Sequence, residues 1–304
     1  MRRLAFATID VFTTQPLEGN ALAVFPDGRG LTEGEMQAIA REFNLSEATF
    51  VIPREGSVER VHGIRTRIFT PREELPFAGH PTLGTAAVLR EMGAGDEVRL
   101  ELNVGTVPVR FTDRGGRTFG EMTQVDPTFG RVHYRDEVAE AIGVTLAELD
   151  GSMPIQTVST GNPVAIVPFV RLSTLQSWAP SWKRMEEYLS GTDARFFFAI
   201  CRETVAADAD LHARMVFYGG DDPATGSAAG PAVAWMVQNG LIASGSTIEI
   251  EQGLETHRPS RLFARADFAS GKVTNVRVGG FFAPVARGEL SFPESGAARS
   301  DVNR

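Results

Sequence analysis

The stretch ELPFAGHPTLGTAAV, residues 74–88, has a near-twin in GGDDPATGSAAGPAV, residues 219–233. Pro81, Gly84, Thr85, Ala86 and Ala87 align with Pro223, Gly226, Ser227, Ala228 and Ala229 at one offset, 223 − 81 = 142. GNALAV from Gly19 answers GNPVAI from Gly161 at the same offset, 161 − 19 = 142. IPRE at Ile52 answers ICRE at Ile200, Phe69 answers Phe217, and LELNVG at Leu100 answers IEIEQG at Ile248, each displaced by 200 − 52 = 148. Short loop insertions shift a register in this way. Matches that keep their order along the chain identify a duplicated unit.

Each half carries several short β-rich segments, such as LAFATIDVF, ALAVF and ATFVI in the first and PVAIVPFV, RFFFAI and STIEIEQ in the second. Each also has one helix, after Pro81 and after Pro223, that is apolar on nearly every side and so suits a buried position. The expected fold class is α/β (α+β): two pseudo-symmetric halves, each a curled mixed sheet wrapped around a central buried helix. Residues 1–125 form the first half and 126–304 the second, with a helical RDEVAEAIGVTLAEL in the connection. The last strand is free to cross back to the first half, and residues 294–304 read as a disordered tail. A further helix, TEGEMQAIAREFN, opens with Thr32 and Glu35 at capping-box spacing and ends at Asn44.

The formal charge of −8 without a basic cluster argues against a nucleic-acid surface. No apolar run is long enough to span a membrane, and Asp10 comes too early for a secretory signal, so a cytoplasmic protein is expected. The single cysteine, Cys201, rules out an internal disulfide and any two-thiol racemase chemistry. Five scattered histidines show no metal-binding spacing: His62, His133 and His257 read as surface residues, and His212 as a strand residue.

The duplicated turns carry the chemistry. A proline in the first helical turn leaves free N–H groups at the positive end of the dipole, an anion site. Gly84 and Gly226 would let a ligand approach that backbone. The residue before the proline is His80 in one copy and Asp222 in the other. Asp222 is a good N-cap on its own account, whereas histidine is not a favoured cap and calls for another reason. A pseudo-twofold would set the two side chains facing each other across the crevice between the halves. Such an acid, base and dipole set suits proton transfer without a cofactor.

NLSEATFV, FTPREELPFAGHPTLGTA and GGDDPATGSAAGP resemble the three signature segments of the PhzF family, named for an isomerase of phenazine biosynthesis. The resemblance runs from IDVFTTQPLEGNALAVF to VGGFFAPVARGEL. It implies a diaminopimelate epimerase-like fold, a homodimer, a small-molecule carboxylate substrate, and no metal or organic cofactor. It further implies that Glu47 shuttles the proton and that His80 and Asp222 assist it. Ser46, Gly79, Gly226 and Ser227 would contact substrate. The namesake reaction moves a proton on dihydro-3-hydroxyanthranilate. Two other readings fit the same residues: another metal-free epimerase or isomerase of a small acid, and a non-catalytic small-acid binding protein.

Overall fold

The computed structural model describes residues 1–217 and 220–293; the predicted tail, 294–304, lies outside the described residues. Seventeen strands form one continuous mixed sheet, which folds around two buried helices, Gly79–Leu89 and Gly226–Gln238. We refer to these as the first and second central helices.

The two halves repeat one pairing pattern. In the first, Arg2–Val11 pairs antiparallel with Asn20–Phe25, which runs parallel to Glu47–Ile52, which is antiparallel to Ile64–Phe69. That strand runs parallel to Glu97–Leu102, and antiparallel Gly105–Arg114 and Arg117–Thr123 complete the half. In the second, Ile155–Ser159, Pro163–Phe169, Phe196–Cys201, Leu211–Arg214, Ile248–Gln252, Ser260–Ala269 and Lys272–Gly280 follow with the same alternation.

Arg117–Thr123 and Lys272–Gly280 pair antiparallel with each other, as equivalent strands meeting across a twofold must. The exchange is reciprocal. Thr128–His133, which follows the first half, pairs with the opening strand of the second, and Phe282–Phe292 pairs with the opening strand of the first.

Every residue of the first central helix is buried, and in the second only Gln238 is excluded from the buried set. Both lie in one apolar cluster with the strand side chains around them. Each fully buried Leu or Val in such a cluster contributes about 1.5–3 kcal/mol relative to an exposed one. Gly84 serves this packing: a Cβ there would stand 2.6 Å from Leu22 Cδ2 and 2.9 Å from Val11 Cγ2. It faces the sheet, not a ligand, which corrects the expectation drawn from its sequence twin.

The helix Glu33–Phe43 has the expected Thr32–Glu35 capping box, and Asn44 closes it in the left-handed region at φ 49°. The connecting segment departs from expectation. It contains the strand Thr128–His133, and its helix stops at Ile142 because Gly143 turns left-handed at φ 76°. Two helices, Leu172–Ser177 and Trp182–Leu189, cover the outer face of the second half and were not foreseen.

His133 is also corrected: it is buried, with its ring bonded to Tyr188 Oη at 2.9 Å and Thr157 Oγ1 at 2.8 Å. The hydroxyl of Thr157 and that of Tyr188 give a polar-looking sequence neighbourhood an internal use. No helix among the described residues is long and apolar enough to cross a membrane.

Candidate active site

The N-termini of the two central helices meet at the interface of the halves. Gly79 and Gly226 make that contact possible: a Cβ on Gly79 would stand 2.5 Å from Ser227 N and 2.6 Å from Gly226 Cα. One on Gly226 would stand 2.8 Å from Phe12 Cζ. The first-turn amides of Gly79, His80, Gly226 and Ser227 have no intrahelical acceptor, and they converge where the dipoles are positive.

Around this meeting point lies a narrow cavity. Its lining comes from both halves: Glu47, Leu75, Ala78, Gly79 and His80 from the first, and Asn162, Met215, Asp222, Thr225, Gly226 and Ser227 from the second. It offers about 10 Å³ to the centre of a water-sized molecule, close to the space for one water.

Glu47 is the first residue of its strand, placed there by the turn after the Asn44 helix end. Burial drives its pKa well above the usual carboxylate value, and the charge of Asp222 pushes it the same way. The group therefore holds its proton at pH values where a free glutamate would not.

His80 sits inside the first turn of its helix, not at the cap as the sequence suggested. The residue before a proline is ordinarily biased away from helix, and the packing of Gly79 on Gly226 overrides that bias. Burial pushes the His80 pKa down to about 3, against a hydrogen bond to the backbone of Ala21. The ring is thus neutral. Its Nε2 lies 3.4 Å from Glu47 Oε2, and both atoms are buried without a hydrogen-bond partner.

Asp222 also departs from the cap position, because the second helix begins only at Gly226, with Thr225 as its N-cap. Its carboxylate is held from two sides: Asn20 Nδ2 donates to Oδ1 at 2.7 Å, and Thr225 Oγ1 donates to Oδ2 at 2.6 Å. Gln252 braces the turn, donating to the Asp222 carbonyl at 2.8 Å and to Thr225 Oγ1 at 2.9 Å. Burial raises the Asp222 pKa to about 6, while the bonds from Thr225 and Asn20 pull it down.

Glu47, His80, Asp222, Gly79, Gly226 and Ser227 therefore line one cavity, whereas Ser46, half-buried, is not among its lining residues. Asn20, Thr225, Gln252 and Asn162 were not singled out from sequence. The GN pair within the repeat carried the signal for Asn20 and Asn162, whereas Gln252 is brought in by sheet pairing alone. Cys201 is buried in a strand outside the cavity. Among the described residues no three His, Cys, Asp or Glu side chains converge on a metal position.

Two carboxyls that repel each other's ionisation, a neutral imidazole and four free amides form a site that can hold an anion and move one proton. Known proteins resemble the chain over nearly its whole length. The profile of the phenazine biosynthesis-like protein family PhzC-PhzF matches residues 9–288. The chain is 36% identical over 308 residues to an uncharacterized isomerase of Mesorhizobium japonicum, covering 95% of this chain and 99% of that one. It is 35% identical over 290 residues to the trans-2,3-dihydro-3-hydroxyanthranilate isomerase of Pseudomonas fluorescens, covering 94% and 98%. The crystal structure of a PhzF family phenazine biosynthesis protein from Bacillus anthracis superposes with a TM-score of 0.84 at 31% identity, covering 96% and 100%.

Proposed function

The chain belongs to the phenazine biosynthesis-like (PhzF) family of isomerases, and from that premise we propose that it shifts a proton on a small carboxylate bearing an amine or hydroxyl. Glu47 carries the proton. The observation that supports this most directly is the burial of Glu47 beside Asp222 and His80 in a cavity shared by the two halves.

Glu47 enters the reaction protonated. It gives its proton to one carbon of a conjugated substrate, and the cation so formed is faced by the Asp222 carboxylate. Glu47, now charged in a desolvated place, removes a proton from a second carbon on the same face. The substrate leaves as an isomer and Glu47 has its proton back, so no other reactant is consumed. The amides at the helix ends hold the substrate carboxylate, and the neutral His80 ring, with Nε2 3.4 Å from Glu47 Oε2, flanks the protonated carboxyl. Every step draws on groups present in the chain.

Incubating the protein with trans-2,3-dihydro-3-hydroxyanthranilate in deuterated water, followed by NMR, tests the reading. Conversion by the wild-type protein and not by Glu47→Gln is expected. Undiminished conversion by Glu47→Gln would remove Glu47 from the mechanism. No conversion by either protein would require a different acid, found by screening small amino and hydroxy acids for exchange of a carbon-bound proton.

A further inference from the structure

Asn20 and Asn162 occupy twin positions. Each follows a glycine in the left-handed region, Gly19 at φ 65° and Gly161 at φ 123°. Each stands at the start of the second strand of its half, Asn20–Phe25 and Pro163–Phe169. Asn20 is satisfied across the interface: its Nδ2 donates to Asp222 Oδ1 at 2.7 Å and to the Ala224 carbonyl at 2.9 Å.

Its twin is not. Asn162 lines the cavity and is 5% exposed, yet its Oδ1 is buried with no hydrogen-bond partner. His80, which stands where Asp222 stands in the other copy, does not fill the gap, because its Nε2 is itself unpartnered. A buried carbonyl oxygen without a donor opposes folding. Its presence is accounted for when the missing donor arrives with a ligand.

The chemistry of that ligand follows from the atom left open. The free helix-end amides are donors and suit a carboxylate. An amide oxygen can serve only a group that carries a hydrogen. We infer that Asn162 is a substrate-binding residue whose Oδ1 accepts a hydrogen bond from the amine or hydroxyl of the bound acid. This rests on the reading of the cavity as a small-carboxylate site. It adds to the acceptors of the site, the Asp222 carboxylate and the His80 ring nitrogen, a further one that favours amino- or hydroxy-substituted acids over plain ones.

Calorimetric titration of the wild-type protein, Asn162→Leu and Asn162→Ala separates these roles. The probes are benzoate, 2-aminobenzoate, 3-hydroxybenzoate and 2-amino-3-hydroxybenzoate. Binding of benzoate is expected to be the same in all three proteins. At least one donor-bearing probe should weaken about three- to tenfold in both variants, and which one weakens tells the amine from the hydroxyl.

Thermal unfolding supplies the second arm. Removing an amide that is unsatisfied in the free protein should leave Tm unchanged or raised, whereas Asn20→Ala, which loses two bonds across the interface, should lower it. Equal affinity for every probe in all proteins would overturn the assignment, as would a Tm lowered by both Asn162 variants. If the wild-type protein binds none of the four, the carboxylate-site reading itself falls and this inference with it.

Discussion

Nε2 of His80 lies 3.4 Å from Oε2 of Glu47, and neither atom has a hydrogen-bond partner. The histidine is neutral because burial has stripped it of its charge, and the glutamate keeps its proton for the same reason. A charged pair at this distance would be an ordinary salt bridge. Here desolvation wins over mutual attraction, and the result is a proton poised beside a cavity.

The first consequence concerns stability. The folded pKa of Glu47 lies well above its unfolded value, so between the two the folded state binds the extra proton. Stability therefore falls as pH rises through that window. Glu47→Gln removes the titration. Its stability should equal that of the wild type near pH 4 and exceed it increasingly above pH 5, by up to about 1.4 kcal/mol per pH unit until Glu47 ionises in the folded wild type. Turnover should fall by about 10²–10⁴-fold. Paired thermal scans from pH 4 to 8 test this; a variant less stable than the wild type at pH 7 would contradict it.

The pH profile should be bell-shaped. Activity needs Asp222 ionised and Glu47 protonated, so kcat/KM should rise through about pH 6 and fall where Glu47 finally ionises. Thr225→Val removes a hydrogen bond that holds the Asp222 pKa down. Its acidic limb should move to higher pH while the alkaline limb moves far less. An acidic limb unmoved in this variant would assign it to another group.

Gly79→Ala should act at the helix contact. The new methyl would meet the Ser227 amide and the Gly226 backbone, and neither can yield as a flexible side chain would. A loss of about 1–3 kcal/mol in stability is expected, the usual cost of overpacking. Activity should drop as the helix ends are held apart. Wild-type Tm and turnover in this variant would mean that the two helices need not close.

His212 offers a control away from the cavity. It is fully buried, with Nδ1 2.8 Å from Glu251 Oε1 and Nε2 2.9 Å from Glu255 Oε1. Burial alone would lower its pKa, but the bonds to Glu255 and Glu251 outweigh it and the net shift is upward. The stabilisation is fully present below the unfolded histidine value of about 6.5 and is lost as pH rises through the folded pKa. His212→Gln should lower Tm most near pH 6 and least near pH 9. A Tm difference independent of pH would show that the histidine is not charged.

Much of the fold was legible in the chain. The two offsets in the repeat implied two like halves, because duplicated sequence folds to duplicated structure, and the apolar helices after Pro81 and Pro223 could only be interior. His80 and Asp222 were found through the duplicated turns and Glu47 through the signature segments, and the cavity brings all three together. Local rules failed where tertiary packing outweighed them. Proline chemistry placed His80 and Asp222 at helix caps, but the first helix extends back to Gly79 and the second waits until Gly226. His133 looked like a surface residue because its partners, Thr157 and Tyr188, are far from it in sequence.

The sequence by itself determined the repeat, the buried helices and the identity of the titratable groups, since periodicity and motif order are properties of the chain. Only the tertiary structure decided their protonation and their company. The proton on Glu47 depends on burial by residues of both halves, and the charge on Asp222 depends on Asn20, a residue two hundred positions away (222 − 20 = 202). The open oxygen of Asn162 likewise shows only once its twin is seen to be satisfied. Desolvation and cross-interface hydrogen bonds are sums over neighbours in space, and no linear pattern records them.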